Sequence, residues 1–258
     1  MATMKELNDA LMQFIRPATF PLAIKMLADE KEIPERTRRP KKDMGLVMPA
    51  CQAVGMARKY GWAIAVGNED QLCPMGALTF GFEAPTEEWL EGSFEGGPTT
   101  QKKEARACTA DALRRFDHNK YQFMLMAPLT RTAFEPDLVI MYGNSAQVMR
   151  MIQAATFESG GALTSTATGG ADCSELVTQT MQTDECQFII PCNGDRVFGM
   201  TQDHEVAFTM PASKIDTTIR GLKLTHDMGQ RYPVPTYVRF QAEFPGGYGK
   251  LMDHLRES

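Results

Sequence analysis

Leu7, Leu11 and Phe14 recur at helical spacing near the start of the chain, behind Thr3 and Glu6 at the spacing of a capping box. This predicts an opening helix. "FPLAIKML" then reads as a strand, "ACQAVGMARKYG" as a helix closed by Gly61, and "WAIAV" as a second strand. "LCPMGALTFGF" is rich in turn residues, and "TEEWLEGSFEGGPTT" reads as a mobile surface hairpin or loop. "KKEARACTADALRRF" is helical in period, with Ala107, Ala110 and Leu113 facing inward. "YQFMLMAPL" and "DLVIMYG" are nearly unbroken apolar runs, the pattern of central strands.

The second half alternates. "DLVIMYGNSAQVMRMIQAATF" reads as strand, turn and helix, with Asn144 or Ser145 as the N-cap. "GALTSTATGGADCSELVTQTM" repeats the plan, with Gly169-Gly170 as the turn and Asp172 as the cap. "CQFIIP" and "EVAFTMP" supply two more strands, and "SKIDTTIRGLKLTHDM" a helix. The expected fold is α/β or α+β, a mixed sheet with flanking helices and strand-turn-helix units in the C-terminal half. The 258 residues suit one domain over 1–258, or two packed lobes near 1–120 and 121–258.

Composition is that of an ordinary globular chain, with 43% hydrophobic and 23% charged residues. The net charge of −5 offers no overall attraction to nucleic acid or an anionic membrane. No apolar run has the length of a membrane span, and "MATMKELNDALMQF" lacks the basic start and apolar core of a secretory leader. The expected compartment is the cytoplasm, where thiols stay reduced. The apolar residues of "WLEGSF" suit a homodimer.

Reduced thiols make the six cysteines informative. No two share a Cys-x-x-Cys spacing, so the fold must assemble any common site from distant segments. Cys73 and Cys192 fall where turns leave apolar runs, and Cys51 and Cys173 near helix starts. Helix starts favour the thiolate, which is both the nucleophile and the metal ligand. Such soft ligands suit zinc, Cu(I) or an iron–sulfur cluster. Cys108, among helical alanines, and Cys186, at the head of a strand, read as structural. His118, His204, His226 and His254 are scattered.

Four other features bear on a ligand. Arg196, after Cys192, has the fork to hold a carboxylate or phosphate, or else helps Asp195 fix the turn. Asn193 and Gly194 offer amides beside Cys192, and Asn144, Gly169 and Gly170 offer amides ahead of helices, the general anion geometry. "ERTRRPKKD", with Arg38, Arg39, Lys41 and Lys42, is a solvated loop or a rim that attracts an anion. No Walker, dinucleotide or serine-elbow motif occurs.

Taken in order, "FPLAIKML", "ACQAVGMARKYG", "LCPMGALTFGF", "PDLVIMYGNSAQVMRMIQA", "TATGGADCSELV" and "IIPCNGDRVFGMTQDHEVAFTMP" resemble the domain-of-unknown-function family numbered one-six-nine. The likeness covers nearly the whole chain, and Pro191 to Arg196 is its most specific element. It implies a soluble bacterial or archaeal protein, of a family frequent in anaerobes, with Cys51, Cys73, Cys173 and Cys192 in the family's cysteine-bearing motifs. The expected function is a cysteine-lined pocket holding a metal through those four residues, an iron–sulfur cluster foremost, in electron transfer or anaerobic cofactor metabolism. In that reading the Asn193 and Gly194 amides tune the sulfurs, and Arg196 and the basic loop favour an anionic ligand nearby. The alternatives are a non-catalytic binding protein for a small anionic metabolite or cofactor, held at the turns of Asn144 and Gly170, and a thiol-redox protein with Cys192 as nucleophile and Cys173 as its resolving partner.

Overall fold

The structure is a computed structural model and describes residues 2–94, 102–234 and 246–257. In chain order the first half carries α1 (Met4–Phe14), β1 (Leu22–Leu27), α2 (Pro40–Met44), α3 (Ala50–Tyr60) and β2 (Ile64–Gly67). It continues through α4 (Pro74–Thr79), α5 (Glu87–Leu90), α6 (Lys103–Ala112) and β3 (Phe123–Pro128). Then come β4 (Leu138–Gly143), α7 (Ser145–Ala155), a π-helical segment Ser174–Gln179 running into α8 (Thr180–Thr183), and β5 (Gln187–Ile189). The chain ends with α9 (Asn193–Val197), β6 (Val206–Pro211), α10 (Ile215–Asp227) and α11 (Gly246–Glu257).

Among the described residues, six strands form one sheet in the order β2-β3-β1-β4-β6-β5, and every pair of these is antiparallel. Parallel pairing among the described residues is confined to isolated bridges at Arg38–Ile64 and Met48–Gln71. β1 lies between β3 and β4, so strands from both halves of the chain share one sheet.

Side-chain alternation explains why runs such as Leu22–Leu27 and Leu138–Gly143 are apolar throughout. Leu22, Ile24, Met126, Ile140 and Tyr142 pack on one face with Ala53, Val54 and Ala57 of α3. Ala23, Val139, Met141, Phe208 and Met210 pack on the other with α1, α7 and α10. Helices cover both faces, so an antiparallel sheet here has the composition more usual for parallel strands. Among the described residues no helix is long and apolar enough to cross a membrane.

The opening capping box forms as expected, Glu6 N–H donating to Thr3 Oγ1 at 3.2 Å and Thr3 N–H to Glu6 at 2.7 Å. Ala110 and Leu113 are buried, whereas Ala107 is half-buried and Cys108 exposed. Helices occupy two stretches expected as turns or loops: α4 forms within "LCPMGALTFGF" behind Pro74, and α2 within the basic loop behind Pro40, since proline is pre-set for the first helical turn. In the expected surface loop, residues 87–90 form α5; residues 95–101 lie outside the described ones.

One expected strand is absent. Residues 162–168 have no ladder partner, and Ser165 Oγ instead accepts from Phe188 N–H at 2.8 Å on edge strand β5. Gly160 and Gly161, both at positive φ, break the chain just before it, and the run "TSTAT" brings little apolar surface to bury. Strand-turn-helix therefore holds at β4–α7 but not at 161–181.

Candidate functional site

The site lies on the α3 face of the sheet, at the Tyr142 end of β4. Its geometry begins with two glycines. A Cβ on Gly55 of α3 would stand 2.6 Å from the Gly199 carbonyl oxygen, and a Cβ on Gly199 would collide with the Asp195 carboxylate. Only glycine at both places allows α3 to press against the turn after α9. That approach brings Cys51, in the first turn of α3, to Cys192, the N-cap of α9. A Cβ built on Gly194 would lie 3.6 Å from Cys192 Sγ and 3.9 Å from Cys51 Sγ.

Cys192 is held from below by Asp172. Its backbone N–H donates to Asp172 Oδ2 at 3.0 Å, and its thiol to Asp172 Oδ1 at 3.3 Å. Asp172 was expected to cap the following helix; its carboxylate instead reaches across to β5's exit loop. The next residue, Cys173, opens the π-helical segment, a rare geometry that recurs at functional sites. Cys73 is the N-cap of α4.

Cys51 and Cys173 both lie within the fields of Cys73 and Cys192. Burial raises Cys51 first, and the charges of Asp195, Asp172, Cys192 and Cys73 raise it further. Burial likewise pushes Cys173 well up, helped by Asp172, Cys73, Cys192 and Cys51. Burial and then Asp172 push Cys192 up to about 12, against the Asp195 amide, which donates toward its sulfur. Among the described residues, no three His, Cys, Asp or Glu side chains stand in metal-ligand geometry. The sulfurs are gathered but not aimed at one point.

Beneath them runs a buried polar chain. Asp195 is fully buried and accepts from Tyr142 Oη at 2.9 Å. The Arg58 guanidinium lies 4.1 Å over the Tyr142 ring, and donates to Glu205 at 2.7 and 3.0 Å and to Thr201 Oγ1 at 2.9 Å. Burial raises Asp172 to about 7, the Asp195 charge adds to this, and the Cys192 donors oppose it. Burial also raises Asp195, but its donor Tyr142, the nearby Thr201 hydroxyl and the Arg58 charge pull back. Contact between the carboxyls raises Asp172 and lowers Asp195, so a shared proton rests on Asp172.

Other expected residues are engaged elsewhere. Arg196 donates to the Gln202 carbonyl at 3.0 Å and lies 3.9 Å from Asp203, so its guanidinium braces its own loop. Asn193 is exposed. Asn144 caps α7, accepting from Gln147 N–H at 3.0 Å and donating to Tyr232 Oη at 3.1 Å. Gly169 turns at φ +70°, and beside it the Glu175 carboxylate accepts from Thr168 N–H at 2.6 Å, taking the place of an external anion. Arg39 is buried against Glu30, Glu69 and Asp70, while Lys41 and Lys42 pair with Glu69 and Glu30. Cys186 is buried, as a structural cysteine would be.

Sequence reasoning missed Arg58, Tyr142 and Glu205. One signal was available: Cys51, Gly55 and Arg58 stand at i, i+4 and i+7, so one face of α3 carries a thiol, a gap and a cation.

A family model matches residues 10–221. The chain belongs to DUF169, the family described as uncharacterised ArCR. All four clustered cysteines lie inside the matched span. The chain is 24% identical over 205 residues to an uncharacterized protein of Methanocaldococcus jannaschii, an alignment covering 78% of this chain and 86% of that one. No solved structure matches the chain significantly.

Proposed function

We propose that this DUF169 protein carries a metal centre held by the thiolates of Cys51, Cys73, Cys173 and Cys192, an iron–sulfur cluster, and works in the reducing cytoplasm in electron transfer or anaerobic cofactor metabolism. One observation carries the reading: four cysteines from four distant segments gather near two buried carboxyls, and the charge of Asp172 raises Cys51, Cys173 and Cys192 together. Raised in this way, the thiols of Cys51, Cys173 and Cys192 stay protonated, and a multivalent cation is the group that relieves the crowding.

The donor set is soft and fits iron or zinc better than a hard cation. Gly194 fits as well, since its bare Cα leaves the space beside two of the sulfurs open. A bound cluster would supply one-electron transfer at a potential set by charge, hydrogen bonds to sulfur and exposure. The protein's own part is proton handling and orientation. Cys192 must lose its proton to ligate, and Asp172 Oδ1, 3.3 Å from that sulfur, is placed to take it above about pH 7, where Asp172 is itself ionised. The Asp195 amide points at the same sulfur and steadies its thiolate. Arg58, locked to Glu205 and stacked on Tyr142, keeps positive charge below the cluster of acids.

The raised thiols count against the alternative of Cys192 as an activated nucleophile, which needs a lowered pKa. Protein purified and reconstituted without oxygen should contain stoichiometric iron and acid-labile sulfide, with broad visible absorbance lost in the Cys51→Ser and Cys192→Ser variants. A protein free of metal and sulfide after reconstitution rules the reading out. Zinc without sulfide would keep the four ligands and reassign the chemistry to structure.

A further inference from the structure

At the opposite end of α3 from Cys51, a cavity of about 420 Å3 opens beside Gly61. Arg36, Arg38, Trp62, Arg131 and Phe134 line it, and among the described residues Glu35 is the one acid in its wall. The neighbouring cations Arg39, Lys41 and Lys42 all have carboxylate partners. Among the described residues, Arg36, Arg38 and Arg131 have none. In a chain of net charge −5, acids are available and are spent on the adjoining cations, while three guanidiniums are left to face one space. Like charges so gathered repel, and an anion between them reverses the sign of the interaction.

Two of the three guanidiniums, those of Arg38 and Arg131, are also set in place beforehand. Arg38 is pinned to the edge of β2, its N–H donating to the Ala63 carbonyl and its own carbonyl accepting from Ala65 N–H, both at 2.9 Å. Its guanidinium lies 4.1 Å over the Trp62 ring, which in turn packs on Tyr60 at 5.3 Å. Arg131 is fixed by one donor, Nη1, to the Gly61 carbonyl at 2.8 Å, which leaves the rest of its fork unbound by that contact. Arg36 sits in a left-handed turn at φ +66°, an unusual conformation for an arginine.

We propose that this cavity binds a small organic polyanion of about nucleotide size, carrying phosphate or carboxylate groups. The guanidinium fork matches both groups bidentately, the volume is that of a small-molecule site, and Trp62 and Phe134 offer flat apolar surface for an organic body. α3 has 11 residues, which at ~1.5 Å per residue puts roughly 15 Å between this cavity and Cys51. The proposal therefore stands whether or not the cysteines hold metal.

The test is calorimetric titration of the full chain with ADP, citrate and pyrophosphate in turn, at fixed near-physiological ionic strength. One-to-one binding of at least one probe is expected, with ADP against citrate deciding between phosphate and carboxylate. The double variant Arg36→Gln/Arg38→Gln changes only exposed side chains and should keep its Tm, yet weaken binding by roughly tenfold or more, as loss of charged bidentate contacts implies. Lys41→Gln/Lys42→Gln, with the same change of charge at paired lysines, should leave affinity nearly unchanged. If no probe binds, or if the two double variants weaken binding equally, there is no site here.

Discussion

Asp172 grips Cys192 twice, by the backbone N–H at 3.0 Å and by the thiol at 3.3 Å. The two residues are twenty apart in sequence, and the contact ties the start of the π-helical segment to the loop leaving β5. A carboxylate buried here would be unpaired but for those donors, so the same contact that positions the sulfur also governs the proton on Asp172.

That proton makes stability depend on pH in a known direction. Asp172 holds its proton up to about pH 7 in the folded chain, against 3.8 for an ordinary aspartate, so between these values the folded state binds more protons than the unfolded one. Stability of the metal-free, reduced protein should therefore fall as pH rises across that window. The ceiling is on the order of 4 kcal/mol for three pKa units. Asp172→Asn carries no such proton and should flatten the slope in urea unfolding from pH 4 to 8. Parallel curves for the variant and the parent would show that Asp172 ionises normally.

The glycine contacts make a second, separable prediction. Gly55→Ala drives a methyl into the Gly199 carbonyl, at 2.6 Å, and should cost about 1–3 kcal/mol by overpacking. Gly194→Ala meets only sulfur atoms at ordinary distances, 3.6 and 3.9 Å, so its Tm should barely move. Its methyl nevertheless occupies the space beside Cys51 and Cys192, and metal content after anaerobic reconstitution should drop. Full occupancy in Gly194→Ala would place any metal away from these two sulfurs.

Much of this arrangement is legible in the chain, and the limits are physical. Cys51, Cys73, Cys173 and Cys192 stand out because turns and helix starts surround them, and those are the places where a fold can point side chains at one another. Arg58 does not stand out, because "ARKYG" looks like any helix end with basic residues near the macrodipole's negative pole. Asp195 is ambiguous in the same way, since a turn aspartate usually caps locally, and only the Gly55–Gly199 approach turns it inward to Tyr142. The run 161–168 misleads because its length and its neighbours suit a strand, while its small hydroxyl residues leave it little beyond Leu163 to bury. The turns at Asn144 and Gly170 fail to stand apart for a related reason: Asn144 N–H donates to the protein's own Gln147 side chain and Gly170 N–H to Thr168 Oγ1.

Thiol reactivity should follow burial. Cys108 is exposed, whereas Cys186 and Cys192 are each pushed up to about 12, chiefly by burial. Brief alkylation of the native, metal-free protein at neutral pH should label Cys108 first and leave Cys51, Cys173, Cys186 and Cys192 largely unmodified, as peptide mass spectrometry would read out. Rapid labelling of Cys192 would instead return thiol chemistry to the front.

The deepest layer of the site is the least forgiving. Arg58 is fully buried, and its charge is met by Glu205, by the Tyr142 ring and by Thr201. Glu205→Gln keeps the shape but leaves that charge uncompensated, and should cost roughly 3–5 kcal/mol in denaturant unfolding. Tyr142→Phe keeps the ring under Arg58 and removes only the donor to Asp195, so its cost should be nearer 1–3 kcal/mol. Removing that donor also raises the proton affinity of Asp195, which Tyr142 holds down, and this moves the paired proton away from Asp172. Tyr142→Phe should accordingly shift the pH dependence set by the two carboxyls, while Glu205→Gln mainly lowers the whole curve. Equal losses in the two variants, with unchanged pH profiles, would mean that the tyrosine serves packing alone.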